Sequence, residues 1–580
     1  MADRYWVGGT GTWDATSTTH WSNTSGGAPG FSVPTAADSV VFDSSSGGGG
    51  FVVTVSTATT VYRINQQAFV NITLNANLIV STVYFKTAGT LTLNTYSFTA
   101  NSISDTNTAT RAIAFGTGTI YVTGTGSVLS MVGTNFTYTG TPSIVLTGTG
   151  PVAFSMSSFF ASNALNISTA TATSLSGTGS VNNLTITSTT PTQGTLVIYG
   201  NLEAPNNISL TSGTLALTFG TTSTNSTINT GGYTLNRCSI TMTKGTSSTK
   251  TLQLLSNLIV NNLTCNSGIL DFNGFSITCS GRVYVNASAV NTISFTNVSA
   301  GMTINPGSGS GTNVLFDTVG ASYFSPNGVD ITIAETVVPY PNIFFNGAGA
   351  NAFGNLTFTG ANNYSLIIGN ACSFNTVTNS KTSAFTVKLP ASNTVTVSNW
   401  NMSGTSGNQL TLTSTNSGVT STLSKASGVV NVSYCSIQDI TATGGATFNS
   451  LNTNGNTDNG NNTGWIFGPI TVSVTGLSAI GSIGIPTVFS GVYANVTGIT
   501  ATSFVGNTVA TGISQIYPSG VQGTGYIGTL APTTVVDVNG IQVNGRVGLV
   551  TLNTNNFITP NGVVGSTQLG RIAIWMTIVT

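Results

Sequence analysis

Short segments of alternating polarity recur along the whole chain, and this pattern most constrains how the chain can fold. Residues 251–279, TLQLLSNLIVNNLTCNSGILDFNGFSITC, place apolar residues at nearly every second position and contain one charge, Asp271. Residues 71–93 and 195–217 repeat the same order of a short strand, a break, a second strand and, after a Ser/Ala-Gly pair, a third. Alternation of this kind predicts β-strands. The three segments align on Asn77-Leu78, Asn201-Leu202 and Asn257-Leu258.

Two further repeats indicate the length of the repeating unit. The phrase IYVTGTGSVLSM at residues 120–131 returns as IVLTGTGPVAFSM at residues 144–156, so the Thr-Gly-Thr-Gly core recurs after 24 residues. Three short strands in about 20–25 residues correspond to one coil of a β-solenoid. The pattern therefore predicts an all-β protein built as a parallel β-helix. The phrase Asn-Leu-Thr, which leads into further alternating strands, begins at Asn183, Asn262 and Asn355.

Stacking of coils would explain how a chain with so little charge remains folded. Charged residues make up 4% of the chain and hydrophobic residues 39%, and the formal net charge is zero. A lone coil cannot fold, because ordering its backbone costs about 1–2 kcal/mol per residue. Stacked coils share hydrogen bonds above and below, so only the two ends expose strand edges. We expect Thr and Ser at outward positions and Asn at corners, where it tolerates left-handed backbone.

Residues 1–43 differ from the repeats and predict an N-terminal cap. They contain three turn-rich landmarks with Trp13, Trp21 and Asp38. Large aromatic side chains cover apolar surface efficiently. We therefore expect Trp13 and Trp21 to pack over the first coil, and Asp38 to lie in a tight turn.

Residues 44–467 are predicted to form the solenoid, closed by Trp465, and residues 468–580 a separate C-terminal β-repeat module. The motif Gly-[Leu/Ile/Val]-x5-[Ile/Val/Leu]-Gly occurs five times in this module, at intervals of 22, 22, 20 and 22 residues. Three charges and the apolar end IAIWMTIVT indicate burial in an assembly. The opening glycines are Gly476, Gly498, Gly520, Gly540 and Gly562, and the closing ones are Gly484, Gly506, Gly528, Gly548 and Gly570.

The remaining composition argues against several classes of protein. No basic stripe is available for nucleic acid, no apolar run is long enough for membrane insertion by a helix, and MADRYWVGGTG contains no apolar signal region. A single histidine, no paired cysteine spacing and no Asp-rich loop predict no metal site and no cofactor. The cysteines are odd in number, so we expect buried thiols rather than disulfides. They are Cys238, Cys265, Cys279, Cys372 and Cys435.

No catalytic residues are predicted, although parallel β-helices include polysaccharide lyases and hydrolases. Glycoside hydrolysis uses two carboxylates a few ångströms apart. Asp330 and Glu335 are the nearest pair in the middle of the repeats, but positions five apart on one strand face opposite sides. We interpret both as turn or surface residues, and His20 as a packing residue rather than a general base. Carboxylates from adjacent coils could still meet, and the sequence leaves that alternative open.

Surface aromatic residues are the one feature that indicates recognition. Tyr340, Phe344 and Phe345 are candidates for stacking against glycan rings, with Asn and Thr supplying hydrogen bonds. Packing in the core or between chains is the alternative, and we favour it. The sequence therefore assigns no glycan-binding residue.

Three stretches of the chain resemble known β-solenoid proteins. RYWVGGTGTWD…HWSNTSGG…DSVVFD looks like the start, and SYCSIQDITATGGATF…DNGNNTGWIF is similar to the end, of solenoids encoded by bacteriophages and some bacteria. Repeats of the GLSAIGSIGIPTV type resemble those of virion appendage proteins, which are tail fibres, spikes and head fibres. The resemblance implies a structural virion protein, homotrimeric, bound to other virion proteins and to host-surface glycans, and assembled in the host cytoplasm. It implies no catalytic residue, because no matched motif contains one.

Other functions remain as alternatives. A head fibre or capsid decoration would have the same fold without a receptor role. A polysaccharide-degrading tailspike would need acids that are scarce here. A bacterial surface adhesin would need a secretion signal and a terminal membrane barrel, neither of which the sequence predicts.

Overall fold

The structure, a computed structural model, is all-β and built from parallel stacked strands, which confirms the predicted β-solenoid. The chain divides into two compact units, residues 1–447 with 459–463, and residues 448–458 with 464–580. No helix in the described residues is long and apolar enough to cross a membrane. Beyond residue 468 the structure describes the backbone of the strands. Before it, the described residues are 2–85, 88–105, 108–131, 135–156, 166–169, 174–187, 193–209, 213–220, 225–245, 249–288, 291–305, 314–318, 323–335, 342–347, 351–360, 365–369 and 371–468.

One parallel ladder, here called the main ladder, runs through the first unit from Asp3 to Gln438. Each strand pairs in parallel with the strand one coil earlier and one coil later. Its strands are Asp3–Trp6, Ser39–Phe42, Thr59–Gln66, Leu78–Phe85, Ser97–Asp105, Gly126–Met131, Pro151–Met156, Ser174–Val181, Gln193–Ile198, Leu215–Phe219, Thr234–Thr243, Leu258–Asp271, Val283–Ala287, Val314–Thr318, Asn342–Gly347, Ser365–Ile368, Phe385–Leu389, Leu410–Ser414 and Cys435–Gln438.

Further strands form the other walls of the coils. Six of them make a separate parallel sheet near the N-terminus: Gly11–Trp13, Phe51–Val55, Val70–Leu74, Gly89–Thr92, Arg111–Ala114 and Phe136–Thr139. The others join the main sheet: Thr119–Val122, Ser143–Leu146, Asn166–Thr169, Asn183–Ile186, Leu202–Glu203, Ile208–Ser209, Ser226–Asn229, Thr251–Leu254, Ile277–Cys279, Ile293–Thr296, Met302–Ile304, Phe324–Ser325, Ile331–Glu335, Asn351–Gly360, Cys372–Asn379, Thr394–Asn401, Ser421–Ser424 and Ile440–Thr443.

The core of the solenoid consists of columns of apolar side chains, and each coil contributes one side chain to a column. Along Phe51–Val55 and Phe385–Leu389, buried and half-exposed residues alternate strictly. Alternate side chains of a strand point to opposite faces, so parallel pairing brings the inward residues of successive coils into contact. Phenylalanines form one such column, with ring centroids 5.1–6.1 Å apart. Its members are Phe272, Phe295, Phe324, Phe353 and Phe374.

The N-terminal residues cover the first coil as expected. Trp13 and Trp21 are 1% and 0% exposed, and their ring centroids lie 5.2 Å apart. The strand Trp21–Ser22 pairs antiparallel with Asp3–Trp6, so it covers an edge that would otherwise face solvent. The Asp38 carboxylate accepts hydrogen bonds from the backbone N–H and hydroxyl of Thr35, which confirms the tight turn.

Asparagine side chains link successive coils. The Asn262 side-chain oxygen accepts the backbone N–H of Arg282 at 2.7 Å, and the Arg282 carbonyl accepts the N–H of Leu263 at 2.8 Å. The amide oxygen thus replaces a main-chain carbonyl in the parallel ladder. All three aligned Asn-Leu pairs use this contact. Their asparagine oxygens bind the backbone N–H of Ser97, Thr227 and Ser276.

Asparagines in the left-handed conformation link the coils as donors rather than as acceptors. Six of the ten described non-glycine residues with positive φ are Asn, as expected for corner positions. Four of these donate their side-chain amide to a backbone carbonyl of the preceding coil, at 2.6–3.1 Å. They are Asn94, Asn135, Asn273 and Asn327.

The repeated Thr-Gly-Thr-Gly phrases stack directly on each other. Ile120 and Val122 pair with Ile144 and Leu146. A Cβ atom on Gly148 would lie 2.0 Å from the carbonyl oxygen of Gly124. This corner therefore requires glycine because the backbones of neighbouring coils approach closely there.

The second unit begins with a small closing segment. It contains the last two residues of the strand Thr447–Asn449, the 3₁₀ turn Asn452–Asn454 and the strands Thr457–Asp458 and Trp465–Ile466. Phe448 and Trp465 pair in parallel, and their rings make an edge contact at 5.2 Å. One more short strand, Val429–Asn431, belongs to the first unit.

The C-terminal strands form four parallel ladders. Cα partners in the first ladder lie 22, 22, 20 and 22 residues apart. The glycine motifs have the same intervals, so one motif corresponds to one coil, although all ten motif glycines lie outside the described residues. The ladders are Ile470–Thr475, Val492–Thr497, Gln515–Ser519, Val536–Asn539 and Ile558–Asn561; Ser478–Ala479, Thr500–Ala501, Gln522–Gly523, Gln542–Val543 and Val564–Gly565; Ser482–Ile483, Phe504–Val505, Tyr526–Ile527 and Arg546–Val547; and Thr487–Phe489, Thr508–Thr511, Leu530–Ala531, Val550–Asn553 and Ile572–Trp575.

Candidate interaction surface

The carboxylate singled out in the middle of the chain has a structural partner. Asp330 is exposed and accepts hydrogen bonds from the backbone N–H and side-chain amide of Asn355, at 2.6 and 3.1 Å. These bonds link its corner to the next coil. Glu335 ends the strand Ile331–Glu335, and its side chain lies outside the described part of the chain. The geometry therefore gives Asp330 a role in coil stacking.

The single histidine belongs to the aromatic cap. The His20 ring stacks on Trp6 at 4.5 Å, and its Nδ1 lies 2.8 Å from the carbonyl oxygen of Val7. A Cβ atom at Gly11 would lie 2.3 Å from Nε2, so the strand backbone closely covers that side of the ring. This packing agrees with the expected role of His20.

Two buried aspartates also connect coils. Asp271 accepts hydrogen bonds from Asn297 and Gln253, both at 2.7 Å, and from the backbone N–H of Asn273. Burial raises the pKa of Asp271, but these hydrogen bonds outweigh it and leave the pKa below its usual value. Asp439 similarly accepts bonds from Gly418 and Asn461. Within the described residues, no group of three or more His, Cys, Asp or Glu side chains could hold a metal ion.

The five cysteines are free and buried, which confirms the sequence-based expectation. Burial raises the pKa of Cys238 and Cys265 to about 12. A thiolate is the reactive form of cysteine. The five thiols therefore act as small apolar side chains and are not nucleophiles.

Lys244 is the most unusual buried group. Its side chain is 0% exposed, and its Nζ donates a hydrogen bond to the Ser226 hydroxyl at 2.7 Å. Ser226 in turn donates to the Tyr199 carbonyl at 3.0 Å. Burial lowers the pKa of Lys244 to about 8. The hydrogen-bond partner of the ammonium group is a neutral hydroxyl, and the side chain is fully buried, so we interpret the pair as internal packing.

The ladder register separates the two described aromatic candidates. Phe344 shares its column with Tyr284 and Lys388, whose side chains are partly exposed, whereas Phe345 shares its column with Val285 and Ile368, which are buried. Tyr340 lies outside the described residues. Register therefore places Phe344 in the column of Tyr284 and Lys388, and Phe345 in the column of Val285 and Ile368.

The column that contains Tyr284 and Lys388, here called the flank column, changes in residue type along the solenoid. Thr218, Thr241 and Thr264 occupy it in three successive coils, and Thr413 follows Lys388. Between Thr264 and Lys388 the column positions are apolar or aromatic. They are Tyr284, Leu315, Phe344 and Ile367.

A cation lies over the first aromatic ring of this tract. The guanidinium of Arg282 is 4.7 Å from the ring centroid of Tyr284, a cation–π geometry. Neither Arg282 nor Tyr284 is among the residues predicted from the sequence. Tyr284 lies on an ordinary alternating strand, Val283–Ala287, which Arg282 directly precedes, and the place of Tyr284 in the flank column follows only from coil lengths.

Comparison with protein-family models, with curated proteins and with solved structures finds no match. The geometry of the chain is therefore the basis for any assignment of function.

Proposed function

We propose that the protein is a non-catalytic structural component of a bacteriophage virion, a fibre or spike that attaches to the host surface. One observation carries this proposal. Parallel pairing continues from the first strand of the main ladder to its last, and it joins nearly uncharged coils into one stacked body. Such a stack provides length and rigidity with few functional side chains. The resemblance of both ends of the solenoid to β-solenoids encoded by bacteriophages and some bacteria, and of the C-terminal repeats to virion appendage proteins, supports the same role.

The flank column favours a homo-oligomer, for which we propose a trimer. Threonine is well suited to a solvent-facing strand position, whereas a run of four apolar or aromatic residues is typical of a surface covered by protein. A second copy of the chain would cover these positions. Host-surface glycans and other virion proteins are the further partners that we propose.

Labelling and adsorption test the proposed role. Antibodies against the full-length protein should bind an appendage on purified particles from the source, and the soluble protein should compete with those particles for adsorption to host cells. Labelling without competition would favour the capsid decoration or head fibre. Absence of the chain from purified particles would contradict the virion assignment.

Two solution measurements test the other parts of the proposal. Light scattering coupled to size-exclusion chromatography should give three times the chain mass of 59.0 kDa, and a monomer would contradict the trimer. Incubation with host polysaccharide should release neither reducing ends nor unsaturated sugars. Release of either would identify a polysaccharide-degrading tailspike instead.

A further inference from the structure

Two Asn-Gly pairs occupy equivalent corners of the solenoid. Asn273-Gly274 has φ values of 49° and 78°, and Asn327-Gly328 has φ values of 50° and 75°. All four residues are exposed. Neither glycine has an atom within 4 Å of where a Cβ would lie. Each glycine therefore has open space on the side where a Cβ would lie.

Each corner is held by the coil before it and by the coil after it. Asn273 donates its side-chain amide to the Leu254 carbonyl at 3.1 Å, and the N–H of Gly274 donates to the Asn297 carbonyl at 3.1 Å. The same two bonds recur at the second corner. There Asn327 donates to the Phe295 carbonyl at 2.6 Å, and Gly328 donates to the Ala352 carbonyl at 2.9 Å.

We propose that Asn273 and Asn327 are latent deamidation sites, which stay closed while the neighbouring coils hold both hydrogen bonds and react when a coil opens. In this reaction the backbone nitrogen of the following glycine attacks the asparagine Cγ and loses its proton. The C–N bond to the side-chain amide breaks, and ammonia leaves. Water then opens the resulting succinimide to aspartate or isoaspartate, and no oxidant or cofactor is needed.

The two hydrogen bonds oppose the reaction for separate reasons. The glycine N–H that would become the nucleophile is committed to the next coil, and the amide that would be attacked is fixed to the preceding coil. Both bonds must break before the nitrogen can approach Cγ. Local openings of this kind have their own free energy, below that of global unfolding.

The product would make closure of the coil less favourable. A carboxylate cannot donate a hydrogen bond, so the bond to the Leu254 or Phe295 carbonyl would be lost. The new negative charge would face the carbonyl oxygen that the amide once bound. Isoaspartate would also lengthen the backbone at a tight corner. Each conversion of asparagine would therefore follow the opening of a coil and make further opening more favourable.

Asn454-Gly455 provides an internal control with the same dipeptide. Asn454 is exposed, and its side chain makes no hydrogen bond to any described residue, whereas Gly455 bonds within its own turn. Among the described residues, no neighbouring coil holds the Asn454 amide. The Gly455 bond lies within its own turn and can open without separating two coils, so we expect this site to react in the folded protein at a rate close to that of the unfolded chain.

Peptide mapping by mass spectrometry tests the proposal on the full-length protein in mildly alkaline buffer, with and without urea. Deamidation at Asn273 and Asn327 should be at least about tenfold slower without urea, and that at Asn454 should differ by no more than about threefold. Phe353→Ala, which removes a ring from the phenylalanine column beside Ala352, should accelerate Asn327 and leave Asn273 unchanged. Equal rates in folded and unfolded protein, or no reaction at these sites in urea, would overturn the proposal.

Product-mimicking variants test the consequence separately. Asn273→Asp and Asn327→Asp should each lower the melting temperature, and Asn454→Asp should leave it unchanged. Unchanged melting of the first two variants would show that conversion does not loosen the coils, and would overturn that part. These measurements do not depend on whether the protein belongs to a virion, because that proposal is tested separately by labelling of particles.

Discussion

At the scale of single residues, asparagine does the work that charged residues do in other proteins. Its amide both donates and accepts, so one side chain can complete either half of the hydrogen bonding between coils. At Asn257 the oxygen accepts from the backbone N–H of Ser276 at 3.0 Å. At Asn273 the amide nitrogen donates instead. Acceptor and donor asparagines differ in backbone conformation: positive φ occurs among the donors and not among the acceptors.

Substitutions at Asn257 should distinguish the acceptor role. Asn257→Ala removes the acceptor for the Ser276 N–H and should lower the free energy of unfolding by about 1–2 kcal/mol. Asn257→Asp keeps an acceptor oxygen and should stay within about 0.5 kcal/mol of the parent in urea denaturation. If both variants lose equal stability, the side-chain oxygen is not the stabilising group.

Lys244 should make stability depend on pH. Its pKa is about 8 in the folded chain, against an ordinary value of 10.5, so between these values the unfolded chain binds more protons than the folded chain. The contribution of Lys244 to stability should therefore rise as the pH increases from about 8 to 10.5, and the full cost of the buried charge should be present below pH 8. The buried thiols, whose pKa values are raised from an ordinary value of 9.0, lower stability above pH 9, so the Lys244 contribution is measured as the difference between the parent and a variant without the lysine.

Lys244→Met tests this cost. The variant removes the buried charge, so it should raise the free energy of unfolding at pH 7 by about 1–3 kcal/mol, and this difference from the parent should shrink between pH 8 and 10.5. Urea titrations at pH 7, 9 and 10.5 measure both effects. A destabilised variant with the parental pH profile would mean that the ammonium group is not the source of the pH dependence.

At the scale of elements, strands are interchangeable but corners are not. Strand positions need only alternate in polarity, whereas a corner must match the backbone of the coil on either side. At Gly148 a Cβ atom would lie 2.0 Å from the Gly124 carbonyl oxygen, although the φ of Gly148 is outside the left-handed region. The requirement for glycine at this corner is therefore steric.

Gly148→Ala should lower the free energy of unfolding by about 2 kcal/mol or more, because backbone atoms cannot move aside without breaking the ladder. Gly49→Ala is the matched control. Gly49 has open space around it and no positive φ, so its substitution should change stability by less than about 0.5 kcal/mol. Thermal unfolding of both variants measures the difference, and equal effects would contradict a steric cause.

At the scale of the molecule, a stack of parallel strands leaves an unpaired strand edge at its end, and the first unit must cover that edge. The chain covers the N-terminal edge with an antiparallel strand, Trp21–Ser22, and with the rings of Trp6, Trp13 and Trp21. An uncovered edge of parallel strands with almost no charge would template pairing with other chains.

Deletion of residues 1–38 should therefore cause association that depends on concentration. It removes the strands that cover the edge of Ser39–Phe42. Light scattering at increasing protein concentration measures the effect, and the full-length variant Trp21→Phe, which keeps the strand and an aromatic ring, is the control. A deletion variant that scatters like the control would show that the cap does not protect the edge.

The sequence by itself determined the repeating unit, the strand periodicity and the turn at Asp38. These follow from short-range regularities, namely alternation, Asn-Leu pairs and a recurring spacing of about 20 to 25 residues, which can be read within one or two coils. The burial of the cysteines followed from their odd number and lack of paired spacing.

Only the tertiary structure decided which residues meet across coils. Coil lengths vary, so a residue's partner one coil away cannot be counted from a fixed period. Register alone places Phe344 in the column of Tyr284 and Phe345 in the column of Val285. It also brings Lys244 to Ser226, 18 residues earlier. Such contacts depend on the lengths of all the corners between the two residues, and a local sequence pattern does not give those lengths.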